Sequence, residues 1–173
     1  MTSDIQMEYW ETRSLLLNHV EQNPPCVVVG NDTEAPRGFF SCVVDGVDNQ
    51  THIGVITNQS KTPRAIFFPV SRRVILGYDE SVAVIDCLSA ILRRAISLDG
   101  VFFEFLWDEE QAQIIAVHEL GVVAISAFGE ELWRYTTKEI LEDWSMVNRR
   151  LILMLMDTDA SVELNLEDGA PAR

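Results

Sequence analysis

IIAVHELGVVAISAFGEELWRY (residues 114–135) repeats the pattern of VILGYDESVAVIDCLSAILRRA (residues 74–95) at an offset of 40, without a gap. Apolar residues coincide along the two stretches, as Val82 does with Val122. The other matched pairs are Ile85 with Ile125, Leu92 with Leu132, and Arg94 with Arg134. In each copy two runs rich in Val and Ile flank a short acidic turn, and a third run follows a second turn. This order predicts a repeated unit of three strands.

The first turn of each copy carries an acid directly after an aromatic or imidazole side chain. Tyr78-Asp79 falls on His118-Glu119 in the alignment. Such a hairpin unit cannot bury its apolar face alone, so we expect copies to pack face to face or around an axis. Side-by-side packing would bring both turns to the same edge of adjacent units.

Two further segments follow a similar plan. Residues 27–45 and 151–166 each contain apolar runs on either side of an acidic turn, with Asp157 in the turn of the second. Any two β-hairpins share such a pattern. Repetition and chance similarity therefore both stay open for these outer copies.

Short apolar runs rich in Val, Ile and Phe recur along the whole chain, separated by Gly, Pro, Asn and Asp. This pattern predicts an all-β fold, an antiparallel meander of repeated hairpin units that is propeller-like or a two-sheet sandwich. No linker or low-complexity tract divides the chain. We expect a single domain over residues 1–173, with residues 1–12 and 168–173 frayed.

At most one or two short helical segments are expected. The first follows Ser14 and is ended by Pro24-Pro25. The second is a single turn at Thr136, which stands at capping-box spacing from Glu139.

The segment AISAFGEELW resembles the repeat of PQQ-enzyme-like β-propellers, whose blades carry the pattern Ala-x-Asp-x-x-(Thr)-Gly-(Lys)-x-x-Trp. Ala124, Gly129 and Trp133 match the shorter form of that pattern, while Ser126 replaces the Asp and Glu130 replaces the Lys. In that family the Gly makes a tight turn and the Trp docks between neighbouring blades. The resemblance thus implies a blade-like unit ending at Trp133.

The resemblance extends over residues 73–168. In the preceding copy Asp86 matches, but Ser89 stands at the Gly position and Arg93 at the Trp position. Family members with quinone-dependent activity have many blades, with metal ligands and a catalytic Asp around the axis. At about 40 residues per blade, this chain holds at most about four blades. The resemblance therefore implies architecture without transferred chemistry, and we expect no cofactor.

Acidic residues dominate the charge. Asp and Glu number 27 against 13 Lys and Arg, for a net charge of -14, of which -10 falls in residues 101–173. Such a chain repels phosphate backbones and anionic membrane surfaces, so neither nucleic acid nor membrane is an expected partner. A basic protein partner fits this charge, although acids also simply keep small domains in solution.

The three cysteines, Cys26, Cys42 and Cys87, are widely spaced and form no Cys-x-x-Cys motif. Reduced, packed thiols in a cytoplasmic protein are the simplest interpretation. The sequence contains no run of eighteen apolar residues and no apolar leader, so we expect neither a membrane span nor a secretory signal.

Known catalytic patterns are absent from the sequence. His118-Glu119 begins a zincin signature, but the position four residues after His118 is Val122, so the second imidazole is missing. His19, His52 and His118 are far apart in sequence, and we expect no metal site. No nucleophile elbow or phosphate loop occurs. We therefore name no catalytic residue.

Six residues are the candidate binding residues. Tyr78, Asp79, His118 and Glu119 belong to the two aligned turns, and Arg37 and Arg64 lie beside prolines in the longest polar segments. Loops on a rigid β scaffold commonly carry recognition. The two arginines are candidates for contact with an anion or a carboxylate.

Three functional hypotheses follow. The first is a non-enzymatic protein-interaction module, of an immunity or adaptor kind, that binds a basic partner. The second is a hydrolase-like enzyme of unrecognised type that uses acids and His118 at strand ends. The third is a structural subunit whose open sheet edges pair in a homo-oligomer.

Overall fold

The computed structural model describes residues 3–30, 35–45, 50–156 and 160–172. Within those ranges it contains one helix and sixteen strands, which confirms the all-β class. In chain order the elements are β1 (Ser3–Ile5), β2 (Glu8–Tyr9), α1 (Arg13–Glu21), β3 (Cys26–Val29), β4 (Gly38–Asp45), β5 (Gln50–Thr57), β6 (Arg64–Phe68), β7 (Arg73–Tyr78), β8 (Ser81–Asp86), β9 (Ile91–Ser97), β10 (Phe102–Asp108), β11 (Gln113–His118), β12 (Gly121–Ser126), β13 (Glu131–Thr136), β14 (Leu141–Val147), β15 (Arg150–Leu155) and β16 (Ser161–Asn165).

The chain divides into two compact units, Met1–Ser97 and Leu98–Arg173. In the first unit the strands β1-β6-β7-β8-β9 form sheet I, and β2-β4-β5-β3 form sheet II. In the second unit β10-β11-β12-β13 form sheet III, and β14-β15-β16 form sheet IV. Strands β6 to β9 and β10 to β13 each run up and down in chain order, which is the strand order of a propeller blade. The single domain expected from the sequence stays a prediction.

Sheets I and II share one hydrophobic core. Alternate residues of the strands are apolar, and since successive side chains point to opposite faces, these residues meet between the sheets. Leu76 and Ile85 from sheet I pack in one cluster with Phe40, Cys42 and Val55 from sheet II. The inner face of each sheet is therefore covered by the other.

Helix α1 covers the outer face of sheet II. Its N-cap is Thr12, whose hydroxyl accepts a hydrogen bond from the Leu15 N–H at 3.3 Å. Leu16 and Val20 are fully buried and pack with Ile56 of β5. The helix expected near Ser14 is thus confirmed. It has nine residues, and no helix in the described residues is long and apolar enough to cross a bilayer.

Sheets III and IV share the core of the second unit. Ile115 and Val122 of sheet III pack in one cluster with Leu151 and Leu164 of sheet IV. The Trp133 indole N–H donates to the Leu166 carbonyl at 3.1 Å, so the last strand of sheet III is tied to the end of sheet IV. Trp133 therefore docks on a neighbouring sheet.

The repeated hairpin is present with the same register in both units. Arg73 pairs with Asp86 and Tyr78 with Ser81 in β7–β8, and the residues 40 positions later pair in the same way in β11–β12. The pairing of the third strand with the second is shifted by one residue between the two units. Val84 pairs with Arg94, whereas Ala124 pairs with Trp133, after a bulge at the equivalent place. Arg94, not Arg93, thus occupies the place of Trp133, and the ungapped alignment fails after the second turn.

The second turn is capped by a different side chain in each unit. In the first unit the Asp86 carboxylate accepts hydrogen bonds from the N–H groups of Leu88 and Ser89, at 3.0 and 3.1 Å. In the second unit the Ser126 hydroxyl accepts from Phe128 and Glu130, both at 3.2 Å. Ser126 therefore caps the second turn of its unit, as Asp86 does in the first unit.

The left-handed residue of this turn differs between the copies. Gly129 has φ 78° and Ala90 has φ 49°. Ala90, not Ser89, is therefore the counterpart of Gly129. A residue with a Cβ is unfavourable in this conformation, so the first copy is the more strained of the two.

The outer copies behave differently from one another. Strands β15 and β16 form an antiparallel hairpin, with Leu151 opposite Leu164. The Asp157 turn lies outside the described residues. Strands β3 and β4 do not pair, because β5 lies between them and β3 runs parallel to β5. Residues 27–45 therefore do not form the hairpin of the repeat, and their similarity to it is by chance.

Other segments also differ from expectation. Thr136 ends β13 and Leu141 begins β14, so no helical turn forms there; the Thr137 hydroxyl instead donates to the Leu120 carbonyl at 3.1 Å. Both segments expected to fray contain paired residues. β1 pairs with β6, β2 pairs with β4, and Pro171 bridges to Leu164.

The left-handed turn residues allow a reciprocal test of the repeat. We expect Ala90→Gly to stabilise the protein by about 1 kcal/mol, because glycine avoids the Cβ clash at positive φ. We expect Gly129→Ala to destabilise it by about the same amount. Urea unfolding followed by circular dichroism measures both. If the two substitutions shift the free energy of unfolding in the same direction, the two turns are not equivalent.

Candidate functional site

A cleft of about 740 Å³ lies at one margin of the first unit, and we call it the turn cleft. Its walls are the β7–β8 turn (Tyr78–Ser81), the segment Asn58–Gln59 that follows β5, and the exposed part of β9. Gly30, which follows β3, also lines the cleft. The turn cleft thus opens where the β9 edge of sheet I meets the β3 edge of sheet II.

Asp79 is the residue that organises this cleft. Its carboxylate accepts hydrogen bonds from the N–H groups of Asn58 and Gln59 at 2.8 and 3.1 Å. Partial burial raises the pKa of Asp79, against the opposing effect of these two hydrogen bonds. Asp79 itself has φ 45°, the left-handed conformation that a two-residue hairpin turn requires. The acid therefore joins the hairpin turn of sheet I to a loop of sheet II.

The remaining lining of the turn cleft is part acidic and part apolar. Glu80 is exposed beside Asp79, and these two acids are the charged residues among the described residues that line the cleft. Tyr78 is half-buried against the core, and Leu92 on β9 is 42% exposed. The cleft therefore offers carboxylates above an aromatic and aliphatic wall.

The two arginines are placed differently with respect to this cleft. The Arg37 N–H donates to the Thr57 carbonyl at 2.8 Å, one residue before the loop held by Asp79. Its exposed side chain lies on a segment that borders the turn cleft. Arg64 begins β6 and lines a separate cleft of about 400 Å³ together with Lys61. Their role as anion contacts stays a prediction.

His118 and Glu119 lie in the second unit, at the β11–β12 turn. His118 is 1% exposed, and neither ring nitrogen has a hydrogen-bond partner among the described residues. Burial lowers the pKa of His118 to about 4, with smaller opposing effects of Asp99 and Glu119. The imidazole is therefore neutral at physiological pH. Glu119 is half-buried, and its backbone carbonyl accepts from the Leu141 N–H at 2.9 Å.

The sequence places Asn58 and Gln59 in one of its longest polar segments, but it did not predict that their N–H groups bind Asp79. It also did not predict that the Trp10 ring lies 4.6 Å from the His19 ring, and the His19 ring 5.7 Å from the His52 ring, between centroids. These side chains are separated in sequence by loops whose course no local pattern gives. Among the described residues no group of three His, Cys, Asp or Glu side chains is arranged to hold a metal ion.

Comparison with known proteins shows no family. No family model matches the chain, and no curated protein matches it. Among solved structures, dihydro-heme d1 dehydrogenase NirN in complex with DHE aligns with 78% of this chain at 11% identity and a TM-score of 0.46. A protein of unknown function from Bacteroides caccae aligns with 86% at 12% identity and a TM-score of 0.40. The chain spans 33% and 58% of the lengths of these two proteins.

The buried imidazole predicts a pH dependence of stability. Between its ordinary pKa of 6.5 and about 4, His118 binds a proton in the unfolded chain but not in the folded one. The free energy of unfolding therefore falls as the pH is lowered through this range, by about 3 kcal/mol at most. We expect His118→Leu to remove this part of the slope, because leucine does not titrate.

Urea unfolding at intervals between pH 7 and pH 4 measures the effect. His19→Gln is the matched control, since His19 lies half-buried in the first unit and its loss should leave the His118 contribution in place. An unchanged pH profile in His118→Leu would show that folding does not lower the pKa of the imidazole.

Proposed function

We propose that the protein is a non-catalytic recognition module that binds a basic protein partner through the turn cleft. The observation that carries this proposal is the composition of that cleft, with Asp79 and Glu80 as its charged lining and Tyr78 and Leu92 as its apolar wall. A lysine or arginine side chain combines a cationic head with an aliphatic stem. Such a side chain matches both parts of the cleft.

The overall charge supports a cationic partner. Several basic residues of the chain pair with its own acids: Arg73 and Arg93 pair with Asp86, and Arg134 pairs with Glu131 at 2.9 Å. Further ion pairs join Arg149 to Glu110 and Arg150 to Glu163. Because acids outnumber bases by 27 to 13, internal pairing leaves a large negative excess. That excess speeds association with a basic protein and repels acidic competitors.

The enzyme hypothesis receives less support from the same residues. It needs His118 to reach a substrate, but the His118 side chain is 1% exposed. Asp79 is held by two backbone N–H groups, which is the arrangement of a structural carboxylate. The homo-oligomer hypothesis stays open, since β9 is an edge strand that exposes Ile91 and Leu92 at 49% and 42%.

The proposal includes a propeller-like scaffold and a cytoplasmic location. The blade-like meanders, the capping role of Ser126 and the docking of Trp133 support a propeller-like scaffold, without the chemistry of quinone-dependent enzymes. Cys26, Cys42 and Cys87 are all free thiols, which suits a reducing cytoplasm. A rigid β scaffold with recognition at its loops and margins is a common design for binding proteins.

Charge reversal at the cleft tests the proposal. We expect Glu80→Lys to abolish capture of a basic partner from a lysate of the native cell, because it places a like charge beside the bound cation. Glu21→Lys, which makes the same change on an exposed position of α1, should leave capture intact. Wild-type and variant proteins serve as immobilised baits, and bound proteins are eluted with a salt gradient and identified by mass spectrometry.

The supporting result is one stoichiometric basic protein, released by moderate salt from the wild-type and Glu21→Lys baits and missing from the Glu80→Lys bait. The proposal is overturned if all three baits retain the same proteins, or if retention does not depend on salt. Thermal unfolding of each bait confirms that it is folded before it is used.

A further inference from the structure

A second surface of the first unit lies at the opposite margin, where the chain leaves the edge of sheet II. Strand β2 pairs with β4 only through Glu8 opposite Ser41 and Tyr9 opposite Phe40. Before Glu8 the chain diverges, and β1 pairs with β6 of sheet I instead. Among the described residues no strand pairs with β4 from Cys42 to Asp45 on this side.

The backbone of this edge points outward at alternate residues. The Phe39 carbonyl accepts from the Trp10 N–H at 2.8 Å, so Phe39 faces the β2 side. The His52 N–H donates to the Pro25 carbonyl, so His52, which lies opposite Val43, faces away from β4. N–H and C=O groups change sides with each residue along a strand. Val43 and Asp45 therefore share the outward side with Phe39 and direct their backbone groups away from β5.

A groove of about 600 Å³ runs along this edge, and we call it the β4 groove. Five consecutive residues of β4, from Ser41 to Asp45, line it, which shows that it follows the strand edge and not one face of the sheet. Ile5, Met7 and Phe67 form the opposite wall. Because Ile5, Met7 and Phe67 also pack on the shared core, the groove is a cleft into the seam between the two sheets.

The ends of the β4 groove are acidic. Glu8 and Asp45 are exposed and are the charged residues among the described residues that line it. The Asp45 carboxylate accepts a hydrogen bond from the Gln50 side-chain amide at 2.8 Å, which positions it without neutralising its charge. Lys61 and Arg64 line the neighbouring cleft, on which Ile5 and Met7 also border.

We infer that the β4 groove binds an extended, basic segment of a partner protein by strand addition. The partner segment lies beside Cys42–Asp45 and exchanges backbone hydrogen bonds with Val43. It continues sheet II along β4 from the point where β2 stops pairing. Alternate side chains of the segment enter the groove against Met7 and Phe67. The intervening lysine or arginine side chains meet Glu8 and Asp45. The preference for a basic partner rests on the proposed function, whereas the strand pairing rests on the edge geometry alone.

The substitution Val43→Pro tests backbone pairing with the partner segment, because it removes the Val43 N–H without changing the charge of the groove. The Val43 N–H points away from β5, so proline there removes no hydrogen bond of the existing sheet, and edge strands tolerate proline at such positions. Val43→Thr is the matched control, because it keeps the N–H and the branched side chain. The probe is a short fluorescein-labelled peptide of alternating lysine and valine. It is compared with the same peptide N-methylated at valine and with its glutamate-for-lysine counterpart.

Fluorescence anisotropy measures the affinities, and thermal unfolding verifies the fold of each variant. We expect the lysine–valine peptide to bind the wild-type and Val43→Thr proteins with equal affinity. We expect Val43→Pro or N-methylation to weaken binding about tenfold or more through the lost backbone bonds. The glutamate peptide should not bind. If Val43→Pro unfolds the protein, the N-methylated peptide on wild-type protein decides the same question.

Several results overturn the inference. Equal binding of the N-methylated and parent peptides would mean attraction by charge without strand pairing. A second result is that no peptide binds, while light scattering shows a dimer that Val43→Pro dissociates. The occupant of the groove would then be a second copy of the chain. A third result would support the turn cleft as a binding surface and eliminate the β4 groove. In that case Glu80→Lys loses partner capture, while Val43→Pro binds the peptide as the wild-type protein does.

Discussion

The register of the two repeated hairpins is fixed by their tight turns and by the close packing of side chains on both faces. In β11 and β12 the residues Ile115 and Val122 face sheet IV, while Ile114 and Ile125 on the opposite face of the sheet are also 0% exposed. A slip by one residue would exchange the two faces along the whole hairpin. The tight turns at Asp79 and Gly121, both with positive φ, prevent that slip. Loop geometry, core packing and the position of each margin all depend on this register.

In the first unit the packing of two sheets creates the candidate surfaces. Sheets I and II share a core through the middle strands, and their edge strands approach each other as β1 with β4 and β3 with β9. Two twisted sheets packed face to face leave clefts beside their edge strands, and one such cleft lies at each margin. One margin forms the turn cleft, and the other forms the β4 groove. Both clefts are therefore consequences of packing two twisted sheets and do not depend on a dedicated binding domain.

Carboxylates have two different roles in this protein. Asp79 and Asp86 are used inside the structure, where they accept backbone N–H groups and fix turns. Glu8 and Glu80 are exposed at the margins and hold no such turn in the described residues. The first group stabilises the scaffold, and the second leaves negative charge beside apolar walls. In the proposed function, the exposed carboxylates of the second group are those that would meet a cationic partner.

The sequence by itself determined the strand periodicity, the hairpin repeat and its first turn, because alternation of apolar residues and short turns are local properties. It also determined the net charge of -14 and the absence of known catalytic motifs. The candidates Tyr78 and Asp79 could be found because they stand at a turn that the repeat marks. Only the tertiary structure decided that β3 pairs in parallel with β5, that His118 is buried, and that Asn58 and Gln59 hold Asp79. Those features join residues that are distant along the chain, and their energies come from packing and desolvation, which no local pattern records.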